Sequence, residues 1–141
     1  QAKDTDVTFD KPLVLENFSV AGLHILVLED DLAVREAMVN LLASWKCLVS
    51  DGADVTQLIS CAHQKTRPPD ILISDYRLGP ELDGILATQQ LRQHFDPQLP
   101  CLIVSGDFDE SVINRIKQEA LHYLPKPVVP HTLRAIISEC V

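Results

Sequence analysis

Residues 25–31 read ILVLEDD, and this stretch decides the fold. Its first four residues are all apolar, which is typical of a strand that is buried on both faces of a parallel sheet. Three acidic residues follow at once, namely Glu29, Asp30 and Asp31. Apolar residues then recur at helical spacing over residues 32–45. The stretch therefore predicts a buried strand, an acidic turn and a helix, with Asp31 as the helix N-cap.

The same alternation of an apolar run and a helical period continues along the chain. Pro68-Pro69 excludes a helix before the third run, and we expect Asp51-Gly52 to end the second strand. Short runs that are apolar throughout indicate an α/β fold with a parallel sheet covered by helices on both sides. The predicted strands are residues 25–28, 47–49, 71–73, 101–104 and 123–124, and the predicted helices are residues 32–45, 55–62, 84–95, 111–120 and a last one around Leu133, Ile136, Ile137 and Cys140.

The composition is that of an ordinary globular domain, with 141 residues, 46% of them hydrophobic and 23% charged. A net charge of −8 disfavours direct contact with nucleic acid. No apolar run approaches the roughly 20 residues that a membrane span needs, so we expect no direct membrane contact. We interpret residues 1–22 as a linker or entry arm and residues 23–141 as the domain. Because the chain begins at Gln1, we expect it to be either a processed protein or a piece of a longer one.

The four cysteines, Cys47, Cys61, Cys101 and Cys140, are widely separated and have no metal-ligand spacing. Each lies among apolar neighbours, so we interpret them as reduced core thiols of a cytoplasmic protein.

Polar residues follow the carboxyl ends of the predicted strands, where ligands bind in open α/β sheets. A single aspartate at such an end is usually a helix cap, but several polar residues at four strand ends are hard to explain in that way. Carboxylates about 4 Å apart repel by about 4 kcal/mol at an effective dielectric constant of 20, so a shared pocket needs a cation or a proton. Oxygen ligands favour Mg²⁺ (or Mn²⁺) over zinc or copper. The residues concerned are Glu29, Asp30, Asp75, Ser105 and Lys126.

Four motifs together resemble the receiver domain of two-component response regulators, over about residues 23–140. They are ILVLEDD at 25–31, ILISD at 71–75, VSG at 104–106 and YLPKP at 123–127. The resemblance implies a flavodoxin-like, doubly wound fold of three α/β/α layers, with five helices and a five-stranded parallel sheet in the order 2-1-3-4-5. The sequence is most similar to receivers at the C-terminal end of hybrid sensor histidine kinases.

The resemblance implies a role for each acidic residue of the site. Asp75 matches the aspartate that accepts the phosphoryl group, and Asp30 matches a direct metal ligand. Glu29 replaces the more frequent aspartate and is expected to act on the metal through water. The backbone carbonyl of Arg77 matches a further metal ligand. The loop from Asp75 to Asp83 is one residue longer than is usual in this family.

The resemblance also implies a switch. Ser105 matches the hydroxyl residue that bonds the phosphoryl oxygen, and Lys126 matches the lysine that neutralises it. Tyr123 matches the aromatic residue that turns inward on activation. By the same resemblance, the Lys126-Pro127 peptide bond is expected to be cis, as some bonds before proline are.

The function that follows is that of a phosphorelay receiver, which is not a conventional enzyme on its own. A histidine kinase or histidine phosphotransfer domain is the expected partner and donates to Asp75 in a magnesium-dependent step. The signal then reshapes the face of the fourth helix, fifth strand and fifth helix, through which a homodimer is possible. The expected location is cytoplasmic, with a possible tether to a membrane-bound sensor kinase.

Three alternatives stay open from the sequence. The first is the receiver of a stand-alone regulator, or of a transcriptional regulator truncated before its output domain. The second is a magnesium-dependent phosphatase with an aspartyl-phosphate intermediate, but the haloacid dehalogenase type needs a second aspartate where Arg77 stands. The third is a receiver that serves only as a protein-interaction module.

Overall fold

The computed structural model describes residues 19–106 and 109–141, and it confirms the predicted α/β architecture. The described residues form five strands and five helices that alternate along the chain. The strands are β1 (His24–Leu28), β2 (Leu48–Gly52), β3 (Ile71–Asp75), β4 (Cys101–Ser105) and β5 (His122–Pro125), and the helices are α1 (Leu32–Ser44), α2 (Val55–Ala62), α3 (Gly84–His94), α4 (Glu110–Gln118) and α5 (Pro130–Cys140).

The strands form one parallel sheet in the order β2-β1-β3-β4-β5, which confirms the expected doubly wound topology. β1 and β3 are neighbours, and Leu28 is level with Ser74. The carboxyl ends of these two strands therefore meet where the strand order reverses, which is the position at which such sheets bind ligands.

Alternate residues of the sheet enter two separate hydrophobic cores because successive side chains of a strand point to opposite faces. Leu26 and Leu28 of β1 belong to the core beneath α2, α3 and α4, which also contains Leu58, Ile85 and Ile116. Ile25 and Val27 belong to the core beneath α1 and α5, which also contains Leu42, Leu133 and Ile137.

The predicted end of the second strand was wrong, since Asp51 and Gly52 lie within β2. They pair with Val27 and Leu28 of β1. β2 is an edge strand with one hydrogen-bonded neighbour and is less uniformly buried than β1. Polar residues are therefore tolerated in it, and the apolar pattern stops before the backbone pairing does. Gly52 is required there, because an added Cβ would lie 2.6 Å from the backbone nitrogen of Leu58 in α2.

Residues 1–18 of the predicted entry arm lie outside the described residues, so the boundary after residue 22 stays a prediction. Within residues 19–22, Val20 is buried and belongs to the core beneath α1 and α5. The amide of Gly22 donates a 2.9 Å hydrogen bond to the carbonyl of Lys46. None of the described helices is long and apolar enough to cross a membrane.

The four cysteines are free thiols, but only Cys101 is fully buried. Burial raises the pKa of Cys101 to about 12 and that of Cys47 to about 11. Cys47 and Cys140 are half-buried and pack against the core beneath α1 and α5, and Cys61 is half-buried near the end of α2.

Candidate functional site

Three carboxylates meet at the carboxyl ends of β1 and β3. One oxygen each of Glu29, Asp30 and Asp75 lies within 4.8 Å of the others. Glu29 is 6% exposed, Asp75 is half-buried and Asp30 is exposed. The cluster is therefore open to solvent on the Asp30 side and closed on the Glu29 side.

The turn after β1 is held by hydrogen bonds to its own acidic residues. Asp31 caps α1 as predicted, because its Oδ1 accepts a 3.1 Å hydrogen bond from the amide of Val34. The amide of Asp31 donates to Oε2 of Glu29 at 3.2 Å. Arg35, one turn into α1, donates from Nη1 to the backbone carbonyl of Glu29 at 2.8 Å and from Nε to Asp51 at 3.1 Å. The backbone that carries Glu29 and Asp30 is thus fastened to both α1 and β2.

Lys126 supplies the positive charge of the site from the end of β5. Its Nζ lies 3.4 Å from Oε1 of Glu29 and 3.4 Å from Oδ1 of Asp75. Burial alone would lower the pKa of Lys126, but Asp75 and Glu29 raise it above its ordinary value. The ammonium group therefore stays charged and partly compensates two of the three carboxylates.

Lys126 does not fully compensate the negative charge of Glu29. Burial, together with the nearby charge of Asp75, raises the pKa of Glu29 to about 7, although the Asp31 amide and Lys126 act in the opposite direction. A shared cation stabilises crowded, partly buried carboxylates. It removes their mutual repulsion and compensates for the hydration that they lose on burial. Oxygen donors of this kind suit a hard divalent ion.

The predicted switch residues lie on the two neighbouring strands. Ser105 is buried at the end of β4 and is level with Pro125 of β5. Its carbonyl accepts a 2.9 Å hydrogen bond from the amide of Lys126. Tyr123 is half-buried on β5 and packs against the core beneath α2, α3 and α4. The Lys126-Pro127 peptide bond is cis, as the resemblance implied.

The loop after β3 lies beside the acidic cluster. Arg77 is exposed there and pairs with Asp83 through an isolated β-bridge. Its guanidinium lies 5.6 Å from the centre of the Tyr76 ring. Arg115 of α4 donates to Oδ2 of Asp83 at 2.8 Å and to the Tyr76 hydroxyl at 3.3 Å. The residue next to Asp75 is thus connected directly to α4.

Comparison with known proteins assigns the family. A family model described as the response regulator receiver domain matches residues 25–138. The chain belongs to the response regulator receiver domain family. This match covers the described strands from residue 25 onward and each predicted site residue.

Curated proteins similar to this receiver domain include a transcriptional regulator and a response regulator. The receiver domain is 30% identical to the DNA-binding transcriptional regulator NtrC of Klebsiella pneumoniae, over 72% of this chain and 21% of NtrC. It is 34% identical to the response regulator MprA of Mycobacterium ulcerans, over 81% of this chain and 48% of MprA. The receiver domain thus spans less than half the length of these relatives.

Solved structures share the fold of this receiver domain. The receiver domain of the sensor histidine kinase PA1611 of Pseudomonas aeruginosa, with a magnesium ion coordinated in the active site cleft, matches with a TM-score of 0.70 at 26% identity, over 85% of this chain and 98% of that one. The chemotaxis protein CheY4 of Vibrio cholerae matches with a TM-score of 0.73 at 21% identity, over 86% of this chain and 100% of that one, and shows the fold alone.

Two positioning residues of the receiver domain were missed from the sequence. Arg35 holds the Glu29 carbonyl through a hydrogen bond across six residues of chain, and no spacing pattern in the sequence signals this contact. Gly84, the first residue of α3, lies directly against Asp75, because an added Cβ would be 2.6 Å from the carbonyl oxygen of Asp75. A glycine at the first turn of a predicted helix is a weak signal by itself, so the sequence predicts Gly84 only as the start of that helix.

Proposed function

We propose that this receiver domain accepts a phosphoryl group on Asp75 from a phosphohistidine of a histidine kinase or a histidine phosphotransfer domain. One observation carries the proposal: Oδ1 of Asp75 lies 3.4 Å from the ammonium of Lys126 and beside the carboxylates of Glu29 and Asp30. In the reaction a carboxylate oxygen of Asp75 forms a bond to phosphorus while the bond from phosphorus to the histidine nitrogen breaks. The released imidazole takes up a proton from solvent.

The protein residues supply charge and position for this transfer. Phosphoryl transfer depends mainly on alignment and on neutralisation of the phosphoryl oxygens. Lys126 is positioned to pair with one phosphoryl oxygen, because it already contacts Asp75. The hydroxyl of Ser105, at the end of the next strand, is the proposed donor to a second oxygen. Both residues are held by β4 and β5, so the site is largely formed before the donor arrives.

A divalent metal completes the proposed site. The oxygens of Glu29, Asp30 and Asp75 fit Mg²⁺ or Mn²⁺, which prefer a few carboxylate ligands with the remaining positions filled by water. Asp30 and Asp75 are the proposed direct ligands with the carbonyl of Arg77, and Glu29 acts through water. When bound, the ion would neutralise the carboxylates and the phosphoryl oxygens during transfer.

Phosphorylation is proposed to change the face formed by α4, β5 and α5. A contact from Ser105 to the phosphoryl oxygen would draw the end of β4 toward Asp75, and Tyr123 would turn inward beside it. Tyr123 already packs partly against the core, so its inward position requires little rearrangement. The change is a shift between two populations, and the same face is the proposed surface for a homodimer.

The surface next to the site suits a helical donor. Leu32 and Val34 at the start of α1 are 57% and 41% exposed. Val34 and Met38 line an open, mostly apolar groove of about 550 Å³ that ends at Lys126. An amphipathic helix of a histidine-containing partner could place its apolar side there, and its phosphohistidine would then face Asp75.

We propose a hybrid sensor histidine kinase as the parent protein. The similarity to the receiver of PA1611 supports this assignment, and the similarity to NtrC gives comparable support to a transcriptional regulator. The sequence that flanks these 141 residues in the gene distinguishes the two, through either kinase domains or a DNA-binding domain.

The proposal is tested by incubating the domain with a phosphorylated histidine phosphotransfer protein or with acetyl phosphate. We expect an acid-stable, base-labile aspartyl phosphate to form with Mg²⁺ and to be lost in EDTA. Asp75→Asn should abolish labelling. Asp96→Asn is the matched control, because Asp96 is an exposed aspartate in the loop after α3. Labelling that persists in Asp75→Asn, or that ignores Mg²⁺, overturns the proposal.

A further inference from the structure

A pair of histidines lies at the end of the molecule opposite the acidic cluster. His63 directly follows α2, and His94 is the last residue of α3. Both helices begin near the carboxyl ends of the strands and run back along the sheet, so both end near the amino ends of the strands. The Nε2 atoms of the two exposed rings are 2.9 Å apart. The proposed phosphoryl chemistry makes no use of either ring.

The two rings are held by a shared aromatic neighbour. Their centroids are 5.1 Å apart and their planes cross at 74°. Phe95 packs against both, with centroid distances of 5.9 Å to His63 and 4.7 Å to His94. Phe95 is itself packed against the core beneath α2, α3 and α4. The pair is therefore anchored to the fold, although its outer side faces solvent.

The distance between the nitrogens matches two neighbouring ligands of one metal ion. With metal–nitrogen bonds of about 2.0–2.1 Å, a separation of 2.9 Å corresponds to an angle of about 90° at the metal. A tetrahedral ion such as Zn²⁺ would need about 3.3 Å. An angle near 90° is that of octahedral or square-planar coordination, and imidazole is a preferred ligand of Ni²⁺ and Cu²⁺.

We infer that His63 and His94 form a binding site for a divalent transition-metal ion of the Ni²⁺ or Cu²⁺ type. Among residues 19–106 and 109–141, the acidic cluster is the only group of three or more histidine, cysteine, aspartate or glutamate side chains close enough to hold an ion. The histidine pair thus supplies two ligands, and water fills the other positions. Mg²⁺ does not compete, because it prefers oxygen ligands.

Such an ion would join α2 to α3 in the folded state. The two histidines are 31 positions apart in the chain, so the unfolded chain holds them together poorly. A ligand that binds the folded state in preference raises the temperature of unfolding.

The test is a Ni²⁺ titration of the full chain with Mg²⁺ in excess, followed by ¹⁵N NMR and thermal unfolding. Ni²⁺ is the chosen probe because Cu²⁺ would also oxidise the free thiols. We expect one ion per chain, with line broadening centred on His63, His94 and Phe95, and a rise in the unfolding temperature. His63→Gln or His94→Gln should weaken binding by at least about tenfold.

The matched control is His131→Gln, which removes an exposed histidine from α5 on the other face of the sheet. It should bind Ni²⁺ as the unsubstituted chain does. Unfolding in EDTA reports whether each variant folds as well as the parent, and substitution of exposed rings should change it little. Three results overturn the inference: no binding up to the order of 1 mM, binding that survives His63→Gln, or broadening centred on the acidic cluster.

Discussion

Nη1 of Arg35 donates a 2.8 Å hydrogen bond to the backbone carbonyl of Glu29. This bond fixes the turn that carries Glu29 and Asp30, although Arg35 does not contact the proposed metal position. We therefore expect Arg35→Ala to weaken Mg²⁺ affinity by about tenfold, as removal of a group that orients metal ligands commonly does. Isothermal titration or NMR titration with Mg²⁺ measures the change.

Arg92→Ala is the matched control for this substitution. Nε of Arg92 also donates a 2.8 Å hydrogen bond to a backbone carbonyl, that of Leu99, far along the chain from the acidic cluster. Both variants lose a bond of the same type, but only Arg35→Ala should lose Mg²⁺ affinity. Equal Mg²⁺ affinity in the two variants would contradict the positioning role of Arg35.

Most of the fold could be predicted because its decisive features are local. Apolar runs identified the strands, and the polar residues after them identified the ends at which ligands bind. The exceptions depend on neighbours in space. Asp51 and Gly52 extend β2 because they pair with β1. The sequence of β2 itself has no apolar pattern that predicts this pairing.

The candidate site shows the same division. The sequence identified the acidic residues and Lys126 because each follows a strand. It did not identify Arg35 or Gly84, whose roles depend on a distance to another element. No sequence pattern pointed to His63 and His94 either, because residues at the ends of two successive helices become neighbours only once α2 and α3 pack side by side.

The raised pKa of Glu29 predicts how the stability of the metal-free domain depends on pH. A pKa of about 7 in the folded state, above the ordinary 4.5, means that the folded protein holds a proton that the unfolded chain releases. Ionisation of Glu29 therefore lowers the free energy of unfolding as pH rises from about 4.5 to about 7, by up to about 3 kcal/mol.

Urea unfolding in EDTA at pH 5, 6, 7 and 8 measures this effect, with Glu29→Gln as the reference. His24 acts in the opposite direction: burial lowers its pKa, so the folded state binds fewer protons and stability rises with pH. The difference between the wild type and Glu29→Gln removes the His24 contribution. In EDTA, this difference in the free energy of unfolding should fall as pH rises, and in saturating Mg²⁺ it should be nearly constant. A difference that does not change with pH in EDTA would contradict the raised pKa of Glu29.

Replacement of Lys126 should have opposite effects on metal binding and on phosphorylation. The ammonium lies 3.4 Å from both Glu29 and Asp75, so it repels a second cation while it attracts the phosphoryl group. Lys126→Met should raise Mg²⁺ affinity a few-fold and slow the uptake of phosphoryl from acetyl phosphate. Titration and a labelling time course on the same preparation measure both quantities.

Lys117→Met is the control for Lys126→Met, because Lys117 is an exposed lysine on α4. It changes the net charge of the domain by the same amount without touching the site. A rise in Mg²⁺ affinity of the same size in both variants would show that net charge, rather than the position of Lys126, sets the affinity.

Gly84 should be required for the position of Asp75, the proposed acceptor. An added Cβ would lie 2.6 Å from the Asp75 carbonyl and 3.0 Å from Cδ1 of Ile103, and neither the strand backbone nor the buried isoleucine can move freely. Gly84→Ala should therefore lower the free energy of unfolding by about 1–3 kcal/mol. It should also slow phosphorylation of Asp75 by roughly tenfold, because small displacements of reacting groups are costly.

Gly52→Ala separates the effect of Gly84→Ala on stability from its effect on the site. A Cβ at Gly52 would also lie 2.6 Å from a backbone atom, the nitrogen of Leu58, but at the junction of β2 and α2. Both variants should lose stability, which urea unfolding measures. Their phosphorylation can then be assayed under conditions in which both remain folded. Under those conditions Gly52→Ala should be phosphorylated at close to the parental rate, while Gly84→Ala should not. If the two rates are equally reduced, the close contact at Asp75 affects stability alone and does not position the acceptor.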